Sequence, residues 1–435
     1  MWDLVRLDGA ELDDDCLVDL IDSKCLVQVG KTTHGTHELY QERARITKPS
    51  IEEQEFVEVR VEADWPDACR VNRHVLGLIE DKTAPAALRD FWRFPPRMWC
   101  SSDFADFYTW PRSHNYSQAR YETKVRFYGV GLRGLHAPIR MLISCLERVD
   151  KEAVDAARVR YGCVDNLDKV EGGPEHGPAV ALRFTTPFEE EVENHLMDLY
   201  KRASELLVRN GRVNEDEHFH GEQNARLVPN AEHYCRMTYR SDTSSCNLRD
   251  RHIVETLRVL ATHLEEQLDR AGIVVGEPNS HVGDTRATSF CDIGEFHVGQ
   301  LVREFLPDDS VLVSFTTDHG WVTSAINWGG VTEECKRVLP TPEGNSESRF
   351  HHEGIDRAIA LTHRNVQELH RPLLERAIDV VCKPETELCS HRHRAALPDR
   401  FVVVMHIDQA TEVSPLGLAS VWDAGAGSEA YPMEL

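Results

Sequence analysis

The chain is short of positive charge: 49 lysines and arginines stand against 73 aspartates and glutamates, a net charge of −24 over 435 residues. That balance argues against a duplex nucleic-acid binder, which uses clustered cations to displace phosphate counterions. It also disfavours docking on an anionic membrane. No run approaches the ~18 apolar residues of a membrane span, and the first residues lack the apolar core of a signal peptide. The twelve cysteines are scattered without a Cys-x-x-Cys pair, so reduced thiols and a cytoplasmic location are expected. There is no Gly-x-Ser-x-Gly elbow, phosphate loop or Rossmann glycine signature, which leaves a serine hydrolase or a nucleotide enzyme poorly supported. No internal repeat is visible.

What is there has the rhythm of an α/β protein. Short runs rich in Val, Ile and Phe occur at residues 26–29, 56–61, 125–130, 273–275, 311–315, 377–381 and 401–407. They end mostly at Gly, Asp, Asn or Pro and read as strands. Several are apolar almost throughout, as expected of strands covered on both faces. Helical patterns at 138–148 and 253–268 lie between them, so a mostly parallel sheet flanked by helices is expected. Residues 137–267 break the rhythm with long charged helical stretches at 151–161, 187–210 and 222–239, and a Gly/Pro-rich loop at 166–178. The reading is an α/β core formed by residues 13–136 and 268–416. A large helical insertion, 137–267, forms a lid or wall over it, and an irregular tail follows at 417–435.

Titratable residues cluster just past three of the strands, where open α/β folds place their chemistry. Thr33-His34-Gly35-Thr36-His37-Glu38 follows the first apolar run, with Lys31 in the same turn. His34 is a candidate general base, because imidazole titrates near neutrality. His37 and Glu38 open a helix, where Glu38 suits the positive end of the dipole. Glu62, Asp64 and Asp67 follow the second run. Glu62 falls inside the apolar stretch and needs a buried partner, for which a histidine or arginine is the natural choice. Glu277-Pro278-Asn279-Ser280-His281 follows the 273–275 run. Arg43 lies nine residues after His34, within reach of a carboxylate or a substrate anion. The aromatic stretch at 91–99 is read either as a pocket lining or as a packed connection.

Several motifs, taken in order, carry a resemblance. They are Thr33 to Gln41, Val61 to Asp67, Glu222 to Arg226, Asn247-Leu248-Arg249-Asp250, Asn279 to Asp284, Pro384-Glu385-Thr386 and His406-Ile407-Asp408. Together they resemble the erythromycin esterase family from about Asp13 to Leu416. The resemblance implies hydrolysis of a carboxylic ester or macrolactone without metal or other cofactor. His34 would be the general base, Glu62 would orient the water or the base, and Arg43 would brace that carboxylate. His281 would belong to the cleft wall, and Trp65, Asp64 and Arg249 would contact the substrate. Two positions depart from the family pattern: Lys31 stands where a glutamate is usual, and Pro278 where a histidine is usual. Lys31 should lower the pKa of His34 by repulsion, and Pro278 offers no proton acceptor. Pro49 predicts a kink or early stop in the first core helix.

Three readings follow: an ester hydrolase using His34; a non-catalytic or impaired descendant that keeps the cleft and binds a small molecule or a protein partner; and a metal-dependent hydrolase in which His34, His37, Glu62 and His281 gather an ion. Lys31 beside that group argues against a cation.

Overall fold

The computed structural model describes residues 4–6, 15–79, 81, 83–88, 99–132, scattered positions from 219 to 237, 242–266, 268, 271–325, 333–362 and 371–416. The expected helix at 138–148, the stretches 151–161 and 187–210, the loop 166–178, residues 91–98 and the tail lie outside them.

Eleven strands are seen among the described residues: β1 (Leu4–Arg6), β2 (Leu26–Val29), β3 (Phe56–Asp64), β4 (Arg126–Gly131), β5 (Gly272–Gly276), β6 (Ser310–Ala325), β7 (Glu333–Val338), β8 (Arg357–Leu361), β9 (Leu373–Arg376), β10 (Arg392–Ala395) and β11 (Val403–Ala410). The main sheet runs in the order β1-β8-β11-β6-β2-β5-β3-β4, with β7 paired to the far half of β6. From β11 to β4 every neighbour is parallel, and β8 is antiparallel to both β11 and β1. The fold is a mostly parallel α/β sheet flanked by helices.

Burial on both faces explains the near-continuous apolar strands. Val27, Val29, Val311 and Val313 pack on one side with the helix His37–Glu53. Leu26, Ile273 and Val275 pack on the other with Ile253 and Leu257. Each such side chain contributes ~1.5–3 kcal/mol on burial.

Within the expected insertion, the described residues are helical, and its last part is the helix Asp242–Glu265. Among the described residues, no helix is long and apolar enough to cross a membrane.

Three local expectations are corrected. The helix His37–Glu53 runs through Pro49. Ile46, Thr47, Ser50 and Ile51 are buried along it, and the Thr47 and Ser50 hydroxyls donate back to Arg43 and Ile46 carbonyls, so packing outweighs the missing N–H. Residues 377–381 form no strand. Ile378 and Val381 make isolated bridges to Thr33 and Ala325, and the strand of that region is β9, which among the described residues pairs with β10 alone. The 311–315 run is the first third of a much longer strand, since β6 continues to Ala325 through polar residues that β7 and β11 pair.

Gly35 shows why the first motif needs a glycine. Its carbonyl accepts from Thr323 N–H at 3.1 Å, and a Cβ there would collide with the Thr323 carbonyl of β6. Backbone cannot swing aside as a side chain can, so Gly35→Ala is expected to cost ~1–3 kcal/mol of stability by overpacking. Chemical denaturation checks this. An unchanged midpoint would mean that β6 yields.

Candidate active site

Register brings three clusters to one edge. Val29 pairs with Gly276 and with Val313, and Val61 also pairs with Gly276. The residues that follow, Gly30 to His34, Glu62 to Asp64, and Glu277 onward, therefore emerge together at the carboxyl ends of β2, β3 and β5. At β2 the chain's connections diverge to either side, the switch point where ligands bind in such sheets.

Asn279 holds the turns in place. Its N–H donates to the Lys31 carbonyl at 2.8 Å and its side-chain amide donates to the Phe315 carbonyl at 2.7 Å. The asparagine of the third motif is thus a brace between β5, β2 and β6.

His34 is 1% exposed, and its Nε2 lies 2.5 Å from Asp379 Oδ1. Its backbone carbonyl accepts from the Tyr40 hydroxyl at 3.1 Å. Ile378 N–H donates to the Thr32 carbonyl at 2.9 Å. With Ile378 and Val380 both buried, their neighbour Asp379 is delivered to the imidazole. Burial pulls the His34 pKa below its ordinary value and the Lys31 ammonium adds to this, while Asp379 and Glu62 oppose it. The ring is consequently neutral at neutral pH, the form that accepts a proton.

Lys31 turns inward. It is 3% exposed and its Nζ sits 5.8 Å from the centroid of the Tyr40 ring, within cation–π range. Arg43, on the same helix as Tyr40, leans over Gly276, where a Cβ would collide with its Nη2. Burial lowers its pKa, and Tyr40, Glu62 and Glu277 counter that, so its guanidinium lies in the field of both carboxylates. Lys31, Tyr40, Arg43, Trp99, Phe104 and Phe107 help line a cavity of about 50 Å³ on the helix side of the sheet. That cavity lies beside His34: the imidazole is not among its described lining residues.

His281 is clamped by the helix Asp242–Glu265. Its Nδ1 lies 3.0 Å from Asp250 Oδ2, and its Nε2 meets the Arg249 guanidinium. Desolvation pushes the Asp250 carboxyl up, but His281 and Arg249 outweigh it and hold the carboxyl below its ordinary value. Glu62 is buried, and Asp64 stands at the N-cap position of the following helix, Trp65–Val75, without a side-chain capping hydrogen bond. The Trp65 indole stacks on Tyr128 at 5.1 Å and meets Phe219 edge-on. Pro278 is buried and caps a short helical turn; its carbonyl accepts from His281 and Val282 N–H.

His37 turns away from the group, 2.5 Å from Asp103, and Glu38 accepts from Thr411. With His37 held by Asp103 and His281 by Asp250 and Arg249, the four proposed metal ligands His34, His37, Glu62 and His281 do not converge.

Two residues of the site went unforeseen. Asp379 lies in a segment whose apolar composition imitated a strand. Glu277 was in view but given no role. It is fully buried, and neither of its carboxylate oxygens has a hydrogen-bond partner among the described residues. Burial pushes its pKa up to about 8, with Glu62 and Asp250 adding to the rise and His281 and Arg249 opposing it. Its raised folded-state pKa means that it favours the folded state below about 4.5. That contribution is lost as the pH climbs through about 8. Glu277→Gln should abolish this dependence. The melting temperature of the wild type is expected to fall relative to the variant by at least ~2 °C across the window. Parallel thermal scans would deny the shift.

The family model described as erythromycin esterase matches residues 51–410. Among solved structures, a Bacillus cereus protein is similar over 95% of this chain and 96% of its own, at 18% identity and a TM-score of 0.71. A succinoglycan biosynthesis protein aligns over 94% of this chain and 95% of its own, at 14% identity and 0.69. A mutant of the erythromycin esterase EreC in its open conformation aligns over 96% of this chain and 100% of its own, at 14% identity and 0.63. At such identities the structural likeness is one of fold, which by itself leaves activity open.

Proposed function

Because the chain belongs to the erythromycin esterase family, we propose that it hydrolyses a carboxylic ester or macrolactone, with His34 as the base that activates water. The observation that carries this reading is the buried His34 at the end of β2, 2.5 Å from the half-buried Asp379, with Glu62 acting on the same ring. With the Nε2 proton held by Asp379, Nδ1 is the nitrogen that takes a proton from water. The water oxygen attacks the acyl carbon, the ester C–O bond breaks, and the protonated imidazole returns its proton to the leaving alkoxide. Arg43 brings positive charge to the oxyanion and braces Glu62. The protonated state of Glu277 at neutral pH spares the site an additional negative charge.

No cofactor enters this scheme. His281 with Arg249, and Asp64 with Trp65, form the cleft wall. The substrate is a small molecule met in the cytoplasm, a macrolide antibiotic in the case that would confer resistance.

A second reading has its own observation. Lys31 is buried beside His34 in place of a glutamate, and Pro278 supplies no acid or base, so the cleft can bind a small molecule with catalysis impaired or lost. Incubation with a panel of macrolides and simple esters, followed by mass spectrometry, separates the two. A gain of one water on a lactone supports the hydrolase. Binding without turnover across the panel would replace it with the impaired descendant.

A further inference from the structure

A second group of titratable side chains gathers on β6 and β11, sharing no residue with the site around His34. Parallel register sets His406 against Thr316 and Ile407 against Thr317, so Asp318, His406 and Asp408 share one face of the sheet by strand alternation. The helix Ser346–His352 covers that face: its Phe350 stacks on His406 at 4.8 Å. The next residue, His351, turns to the carboxylates. Its Nδ1 lies 2.7 Å from Asp408 Oδ1 and 3.8 Å from Asp318 Oδ2, and His319 Nδ1 lies 3.1 Å from Asp318 Oδ2. One potential ligand atom from each of Asp318, His319, His351 and Asp408 lies within 4.8 Å of all the others.

We propose that Asp318, His319, His351 and Asp408 bind one divalent transition-metal ion of the zinc class, at a site separate from the proposed esterase centre. Two imidazole nitrogens and two carboxylate oxygens form a donor set that such ions accept. A tetrahedral ion with bonds of about 2.0 Å needs ligand atoms about 3.3 Å apart, and the separations of 2.7, 3.1 and 3.8 Å bracket that value. The two carboxylates supply two negative charges. Among the described residues, their ion pairs are all with histidines.

Outer contacts orient the ligands as a metal site requires. Thr341 N–H donates to Asp318 Oδ1 at 3.3 Å, which leaves Oδ2 facing the histidines. His406 lies 3.0 Å from the Thr316 hydroxyl through Nδ1 and 3.4 Å from Asp408 Oδ1 through Nε2. The group is closed at one end and open at the other, with Asp318 buried and the His351 side chain 46% exposed. An ion can therefore exchange with solvent. Bound there, it would clip the helix Ser346–His352 to β6 and β11.

The test uses the full-length protein, dialysed against chelator and titrated with zinc chloride by calorimetry, with metal content measured after gel filtration. One equivalent is expected to bind, with a rise in melting temperature that grows with free zinc. Affinity should increase with pH, because the ion displaces the proton that Asp408 favours on His351. His351→Ala and Asp408→Asn should each weaken binding at least ~tenfold, the lower bound for loss of even an outer partner. Because His351 is half exposed, the metal-free variant should melt close to the wild type, which keeps the comparison interpretable. His34→Ala should bind zinc as the wild type does. Absence of stoichiometric binding, binding indifferent to both His351→Ala and Asp408→Asn, or binding abolished by His34→Ala would each overturn the assignment.

Discussion

His34→Ala is expected to lower ester hydrolysis by ~10²–10⁴-fold, the contribution typical of a positioned base. The imidazole is the one group at the end of β2 that is buried, neutral at neutral pH and oriented by a carboxylate. The variant is expected to remain folded. Asp379 retains 23% exposure and can turn to water, so the stability loss should stay near ~1–3 kcal/mol. Asp379→Asn separates orientation from charge. Asp379 raises the His34 pKa against the pull of burial and Lys31. Its loss should lower that pKa further, and the acid limb of the kcat/KM profile should move to lower pH while the plateau falls. A folded His34→Ala protein that hydrolyses ester at the wild-type rate would remove His34 from the mechanism.

The second large effect is a gain. Lys31→Glu combined with Pro278→His is expected to raise hydrolysis by ~10²-fold, the lower range for restored acid–base catalysis. Lys31 is buried in the site, next to burial itself the strongest influence lowering the His34 pKa. Replacing it with a carboxylate reverses that influence, so the acid limb should move to higher pH as the rate rises. Pro278 already occupies the cap of a helical turn through its carbonyl alone, a role a histidine backbone can keep. The single Lys31→Glu change would place a third carboxylate near Glu62 and Glu277, and it should gain less than the pair. A double variant no faster than the wild type would mean that neither position limits turnover.

Much of this architecture was written locally. The runs at 26–29, 56–61, 125–130, 273–275 and 401–407 became β2, β3, β4, β5 and β11 because each buries side chains on both faces, so its composition carries the strand. The same logic failed at 377–381, where Ile378 and Val380 are buried by a crossing loop. It overlooked β8, β9 and β10, four or five residues each, each carrying arginine and β10 two of them. Those are held by antiparallel partners remote in sequence.

The site followed the same division. Titratable residues just past strands, His34, Glu62 and His281, could be found by position. Asp379 could not, since it reaches His34 through a contact spanning most of the chain. The inward turn of Lys31 was likewise beyond local reading, since Tyr40 on the next helix receives its ammonium.

The most direct test of the central claim is a single turnover in water labelled with heavy oxygen, using an ester or lactone the protein accepts and enzyme in excess. Direct attack by water activated at His34 predicts labelled oxygen in the product carboxylate from the first turnover, with the label and the product both suppressed in His34→Ala. Unlabelled product in that first turnover would contradict the account, because the oxygen would then have come from an enzyme carboxylate acting as nucleophile.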